Sequence, residues 1–190
     1  MKGKMKILKR IALIILILAT VGFLFRGWIY GQLVTYKSIG KRTSYVASDT
    51  KLIDYIDERA DYKNDPDIKD IIKTSLSATS RQLNFSASKN DNDPNKLIKS
   101  KKAHCVGYAA FFSTTCNYLL MKYKLSKTWV AKPQVGQLYF FGYNIHKYFN
   151  SPFFKDHDFV TIENKSTGEI FAVDPTVNDY LLINYVTFKK

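Results

Sequence analysis

The sequence predicts an α+β domain, helices first and an antiparallel sheet after them, behind an amino-terminal transmembrane helix. Three observations predict this. From Asp49 to Tyr123 apolar residues recur at three- and four-residue steps, the period of helices with one buried face. After Lys124 the chain changes to short runs rich in Val, Ile, Phe, Tyr and Thr, the composition of strands. Ahead of both, residues 11–25 (IALIILILATVGFLF) form an unbroken apolar run between Lys9-Arg10 and Arg26. Helices followed by strands argue for α+β rather than an alternating parallel fold. A chain of 190 residues holds one such domain plus an appendage.

The apolar run is short for a bilayer span, which needs about 20 residues. It reaches that length by extending to Tyr30, with Arg26 snorkelling and Trp28 and Tyr30 in the interface. A cleaved signal peptide competes, with Thr20 and Gly22 as a weak small-residue pair. The missing A-x-A signal favours an uncleaved anchor over residues 1–30. The basic residues from Lys2 to Arg10 stay cytoplasmic by the positive-inside rule, so a single-pass protein with an extracytoplasmic body is expected. The net charge of +13 fits this picture. Nine of the 29 basic residues precede Asp49 and none of the 16 acidic ones does, leaving a body with 20 basic against 16 acidic residues. A membrane accounts for the excess better than nucleic acid, and no aromatic-basic module suggests a nucleic-acid partner.

Residues 31–48 have few acids and weak periodicity and read as a juxtamembrane linker, with the folded domain over 49–190. Asp49 is a plausible N-cap for a helix carrying Leu52, Ile53, Ile56 and Ala60. Asp65 and Pro66 suit the start of a second helix, running to about Leu83 on Ile68, Ile71, Ile72 and Leu76. The polar stretch 86–95 (SASKNDNDPN) is a loop, and a short turn over 94–100 leads to a third helix at 101–123. Its stripe is Cys105, Ala109, Phe112, Cys116, Leu119 and Tyr123. Strands are expected at 128–131, 137–141, 159–163, 169–173 and 183–188, with an aromatic loop over 142–155.

Cys105 sits at the amino end of the third helix. Free backbone N–H groups and the helix dipole gather there and favour thiolate, the nucleophilic form. The competing reading is a small buried residue of the stripe. Cys116 lies eleven residues on, about 16 Å along a helix, whereas a disulfide needs Cα atoms within roughly 7 Å. It reads as core, facing the sheet. Further on, Asn164-Lys-Ser-Thr-Gly168 signals a hairpin. If Glu163 faces Gly168, the same register sets His157 opposite Asp174, with Cβ atoms roughly 5 Å apart. A carboxylate there orients an imidazole and stabilises its protonated form. The alternatives are a surface histidine between Asp156 and Asp158, and a turn-forming aspartate before Pro175. His104 reads as a cap or solvent-facing residue, and His146 as rim or packing within the aromatic loop. Two cysteines and three histidines without paired spacing make zinc a poor reading, so no metal or cofactor is expected.

Three fragments in order, His104-Cys105-Val106-Gly107-Tyr108-Ala109, His157-Asp158-Phe159 and Val173-Asp174-Pro175-Thr176, resemble the transglutaminase-like superfamily of papain-like-fold cysteine enzymes. The resemblance covers about residues 68–177. It implies a papain-like core in which Cys105 is the nucleophile, His157 the base and Asp174 its orienter, acting on a protein or peptide substrate. Hydrolysis ranks ahead of cross-linking by the same analogy. The chain departs where Ala103 or His104 replaces a usual glycine, and where Asp158-Phe159 replaces Ala-Trp, expected to alter packing around the substrate. The backbone N–H of Cys105 is a candidate oxyanion donor, with Gln82 or Asn84 as side-chain candidates. A catalytically silent scaffold is the competing function, and the intact Cys, His, Asp set counts against it.

Overall fold

In the computed structural model, which describes residues 2–60, 65–88 and 90–190, the apolar run lies in helix α1 (Lys2–Leu24). The helix breaks at Phe25, and α2 (Arg26–Leu33) leaves at 71° to Lys9–Leu24. The Arg26 guanidinium holds this corner. It donates to the carbonyl oxygens of Phe23, Leu181 and Leu182 at 2.8, 2.7 and 3.2 Å. Among the described residues no single helix is long and apolar enough to cross a membrane; only this bent pair reaches the length and composition of a span. The expected extension of the run to Tyr30 therefore fails as one straight helix. Arg26 ties the corner to carbonyls at 181–182 of the folded domain.

The expected linker over 31–48 is also corrected. Val34–Lys41 forms β1, antiparallel to β4 (Trp129–Phe140) and parallel to β8 (Thr187–Lys189). Only Tyr36 of β1 is fully buried, so the strand shows no alternation to betray it. The helices follow. In α3 (Thr50–Asp57) Asp49 is the N-cap, accepting from Lys51 N at 2.9 Å. In α4 (Ile68–Gln82) the cap is Asp67 rather than Asp65, because Asp67 and Asp70 exchange the two bonds of a capping box. The expected turn at 94–100 is a capped helix, α5 (Pro94–Ser100). Lys101 then takes a left-handed conformation, φ 59°, and β3 (Lys102–Ala103) pairs with β2 (Asn84–Phe85). Helix α6 (Cys105–Lys122) therefore starts at Cys105 and not at Lys101.

Instead of one apolar stripe, α6 is buried nearly all round, as suits a helix at the centre of a domain. It packs against α4, α5, β4, β6 (His157–Asn164) and α7 (Pro175–Leu181). Phe111, Phe112, Leu119 and Leu120 lose all their exposure, each worth about 1.5–3 kcal/mol in apolar burial. The sheet order is β7-β6-β4-β1-β8, with β7 spanning Ile170–Val173 and a short β5 (Tyr143–Asn144) folding back on β4. It is antiparallel except where β8 joins β1. A smaller cluster, Tyr36, Phe159, Ala172 and Val186, ties β1, β6 and β7 together.

Candidate active site

Three elements deliver the candidate residues. Cys105 occupies the first position of α6 and is 8 % exposed. His104 is the N-cap, its Nδ1 accepting from Val106 N at 3.3 Å. Burial lowers the His104 pKa, which keeps that nitrogen unprotonated and able to accept. Gly107 is needed one turn in: a Cβ there would stand 2.7 Å from that of Ala103, the residue pinned by β3. His157 opens β6, and Asp174 lies just past β7 as the N-cap of α7, where a turn was expected.

The hairpin register differs from expectation by two residues. Glu163 faces Ile170 rather than Gly168, because Asn164 closes the turn with its own side chain, accepting from Ser166 N and Thr167 N. His157 and Asp174 are therefore not directly opposite. A slip of two preserves the face each side chain occupies, and the two still meet: His157 Nε2 donates to Asp174 Oδ2 at 2.6 Å. Asp174 has no exposed side-chain surface, while His157 keeps 22 %. Oδ2 also accepts from Tyr36 Oη at 2.8 Å, and Tyr36 in turn lies 2.6 Å from Tyr30 Oη. Oδ1 accepts from Thr176 N and Val177 N.

These contacts set the charges. Burial alone would raise the Asp174 pKa, but His157, Tyr36 and the Val177 N–H together hold it below the usual carboxylate value. Burial alone would lower the His157 pKa, but the charge and hydrogen bond of Asp174, and then Cys105, carry it well above the usual imidazole value. With Nε2 committed to Asp174, Nδ1 is the ring nitrogen left for the thiol. The arrangement can hold an imidazolium beside the Cys105 sulfur at a helix amino terminus.

Cys105 and His157 share a pocket of about 270 Å³, walled by Phe85, Leu138, Phe149, Phe153 and Phe154. A larger cavity of about 450 Å³ beside Trp129 and Met121 contains none of the three candidate residues and none of the histidines. Gln82 is not turned to the site: its Nε2 donates to the Ile98 carbonyl at 2.8 Å and fixes α5. Asn84 lies exposed in β2. The backbone N–H of Cys105 lies in the first turn of α6, where amides lack intrahelical partners. Cys116 is fully buried in the main core beside Ser75 of α4, and burial pushes its thiol up to about 12 despite the Ser75 hydrogen bond.

Three contributors were not foreseen. Tyr30 and Tyr36 come from stretches read as anchor and linker. Arg42 grips buried Asp158 with Nε and Nη2 at 2.8 and 3.0 Å, and Nη2 also reaches Asp156 at 3.3 Å. Phe159 sits in the small cluster with Tyr36, and neither Asp158 nor Phe159 lines the pocket. His146, expected as rim or packing, is buried and part of the wall. Compared with known proteins, the chain matches no family model, no curated protein and no solved structure.

Proposed function

We propose that this chain is a Cys–His–Asp acyl-transfer enzyme acting on peptide or carboxamide carbonyls, with hydrolysis ahead of cross-linking. The observation that carries the reading is the buried 2.6 Å bond from His157 to Asp174 in the pocket that holds Cys105 at a helix amino terminus. The papain-like, transglutaminase-like assignment of the core goes with it. It draws support from the chain order of a helix-start cysteine, a strand-start histidine and an aspartate past the next strand.

In this reading the Cys105 thiolate attacks the carbonyl carbon and the carbonyl oxygen takes the negative charge, near the first amides of α6. The His157 imidazolium gives its Nδ1 proton to the leaving amine, leaving an acyl-enzyme. Neutral His157 then takes a proton from water as the water oxygen attacks the thioester carbonyl; the C–S bond breaks, the carboxylic acid leaves, and the Cys105 thiolate and His157 imidazolium are restored. Asp174 stays ionised throughout and holds the ring. The apolar helix at the amino terminus is read with this function as a membrane attachment, the domain lying on the extracytoplasmic side.

Iodoacetamide labelling with Cys105→Ala and His157→Ala controls tests the site. Native protein takes up one label at neutral pH, at Cys105, and two after unfolding, because Cys116 is sealed and its thiol is held protonated. His157→Ala slows the first label by about tenfold or more, by removing the cation that favours thiolate. Equal labelling of the two cysteines, or a Cys105 rate indifferent to His157, would hand the chain to the silent-scaffold reading.

A further inference from the structure

Exposed aromatic and leucine side chains of the body gather beside the corner that joins it to α1. Trp28 of α2, and Phe141 and Tyr143 at the β4–β5 turn, are 68, 65 and 70 % exposed. Hydrogen bonds hold these parts together. Arg26 binds the carbonyl oxygens of Leu181 and Leu182, whose side chains are also exposed. At the other end of α2, Phe141 N donates to the Leu33 carbonyl oxygen at 2.9 Å, and Phe140 of β4 pairs with Tyr143 of β5. The Phe140 and Phe141 rings meet edge to face at 4.7 Å, yet both stay exposed. Phe141 has φ 48°, a left-handed conformation that a bulky residue rarely takes. The same loop runs on to the Cys105 pocket, where the wall residues Phe149 and Phe154 lie 5.1 Å apart and are themselves exposed.

An apolar patch of this kind marks a contact surface, and two features name what covers it. The first is continuity. Phe23 and Leu24, at the end of α1, are exposed directly before the corner, so the apolar surface of the helix runs into the patch without a break. The second is charge. From Arg26 to Lys41 and from Trp129 to Lys155 the chain contains no Asp or Glu, while Arg26, Lys37, Lys147 and Lys155 are among its basic residues. Lys147 and Lys155 are exposed within the aromatic loop. Tryptophan and tyrosine beside lysine, with no carboxylate among them, match the headgroup zone of a bilayer: rings enter the boundary of the acyl chains and ammonium groups meet phosphates.

We propose that this end of the domain lies on the surface of an anionic lipid bilayer, with Trp28, Phe141 and Tyr143 seated among the headgroups. The inference rests on the reading of α1 as a membrane attachment and adds a second lipid contact to it. The helix holds the chain to the bilayer; the patch orients the body and brings the rim of the Cys105 pocket to the lipid surface.

The test uses the full chain in vesicles of phosphatidylcholine and phosphatidylglycerol, with and without bromine on the acyl chains, because bromine quenches tryptophan only at close contact. Trp28→Phe removes the tryptophan nearest α1, and Trp129, 8 % exposed, stays as a common background. On that background Tyr143→Trp reports from the patch. Met121→Trp reports from an equally open position, 60 % exposed, which shares a cavity with Trp129 at the opposite end of β4 from Phe140. Brominated lipid should reduce the Tyr143→Trp signal about twofold and leave Met121→Trp unchanged. Adding Lys147→Glu and Lys155→Glu should remove most of that quenching without releasing the chain from the vesicles. Equal quenching of the two reporters overturns the proposal, and quenching that ignores the two lysines overturns its anionic surface. A Tyr143→Trp reporter untouched by bromine, whose emission moves to shorter wavelength as more chain is loaded per vesicle, places a second copy on the patch and overturns it too. Flotation tells the two failures apart. A chain that floats with the vesicles while Tyr143→Trp stays bright loses the patch alone; a chain that does not float loses the attachment by α1 as well.

Discussion

Asp174 accepts four hydrogen bonds, two on each carboxylate oxygen, and this saturation separates its two jobs. Oδ1 caps α7, and Oδ2 holds His157 and Tyr36. Asp174→Asn keeps an acceptor for the cap and loses the charge; Asp174→Ala loses both. The alanine variant should cost about 3–5 kcal/mol, the loss for breaking a buried pair, and should fall below the asparagine variant by about 1 kcal/mol, a cap's worth. The pH dependence follows from the directions of the two shifts. The depressed carboxylate gives its stability in full above the ordinary Asp pKa and loses it as pH falls through its lowered value. The raised imidazole gives its stability in full below the ordinary His pKa and loses it as pH rises through its raised value. Both contributions are complete between about pH 4 and about pH 6.5. Urea midpoints followed across pH should show both limbs in the native chain and flatten in Asp174→Asn. An unchanged profile would mean that the pair is not ionised as described.

At the scale of the element, β4 is the strand to perturb. It runs between β1 and β6, and its Gly136 faces His157. A Cβ at Gly136 would stand 2.6 Å from the Phe159 ring and 2.8 Å from the His157 carbonyl oxygen. Gly136→Ala should therefore cost about 1–3 kcal/mol by overpacking. By shifting the start of β6 it should also slow Cys105 labelling toward the His157→Ala rate. Stability loss with an unchanged labelling rate would show that the strand absorbs the methyl without moving the imidazole. The elements that carry the site were legible where local chemistry decides. Asp49 caps as its type demands, Cys105 starts its helix, and the hairpin brings His157 and Asp174 together because a two-residue slip changes no faces. The rest was hidden for physical reasons. The Lys132–Gly136 stretch, with its proline and glycine, conceals that two short runs are one strand. The β1 segment offers Tyr36 alone as a fully buried side chain. No local signal says that Tyr36 reaches across 138 residues to Asp174.

For the whole molecule, the boundary of the folding unit lies well before Asp49. Removing β1 strips β4 of one neighbour and β8 of its partner, and takes Tyr36 from beside Phe159 and Asp174. A chain beginning at Asp49 should fail to give a cooperative urea transition by circular dichroism. A chain beginning at Arg26 should give one, since α2 and β1 remain and Thr187 Oγ1 still bonds the Gly31 carbonyl. Cooperative folding of the shorter piece would make β1 dispensable.

The corner at Phe25 also decides what would become of the protein if its apolar helix were severed. Arg26 anchors the domain side of the corner to Leu181 and Leu182, and the tyrosine pair behind Asp174 begins at Tyr30. A protease cutting α1 anywhere along Lys9–Leu24 would therefore shed a body that keeps Cys105, His157, Asp174 and the tyrosine hydroxyls behind them. The apolar helix and the Cys105–His157–Asp174 cluster lie on opposite sides of one bend, so under the proposed function such a cut would free the body from a membrane and leave the cluster intact.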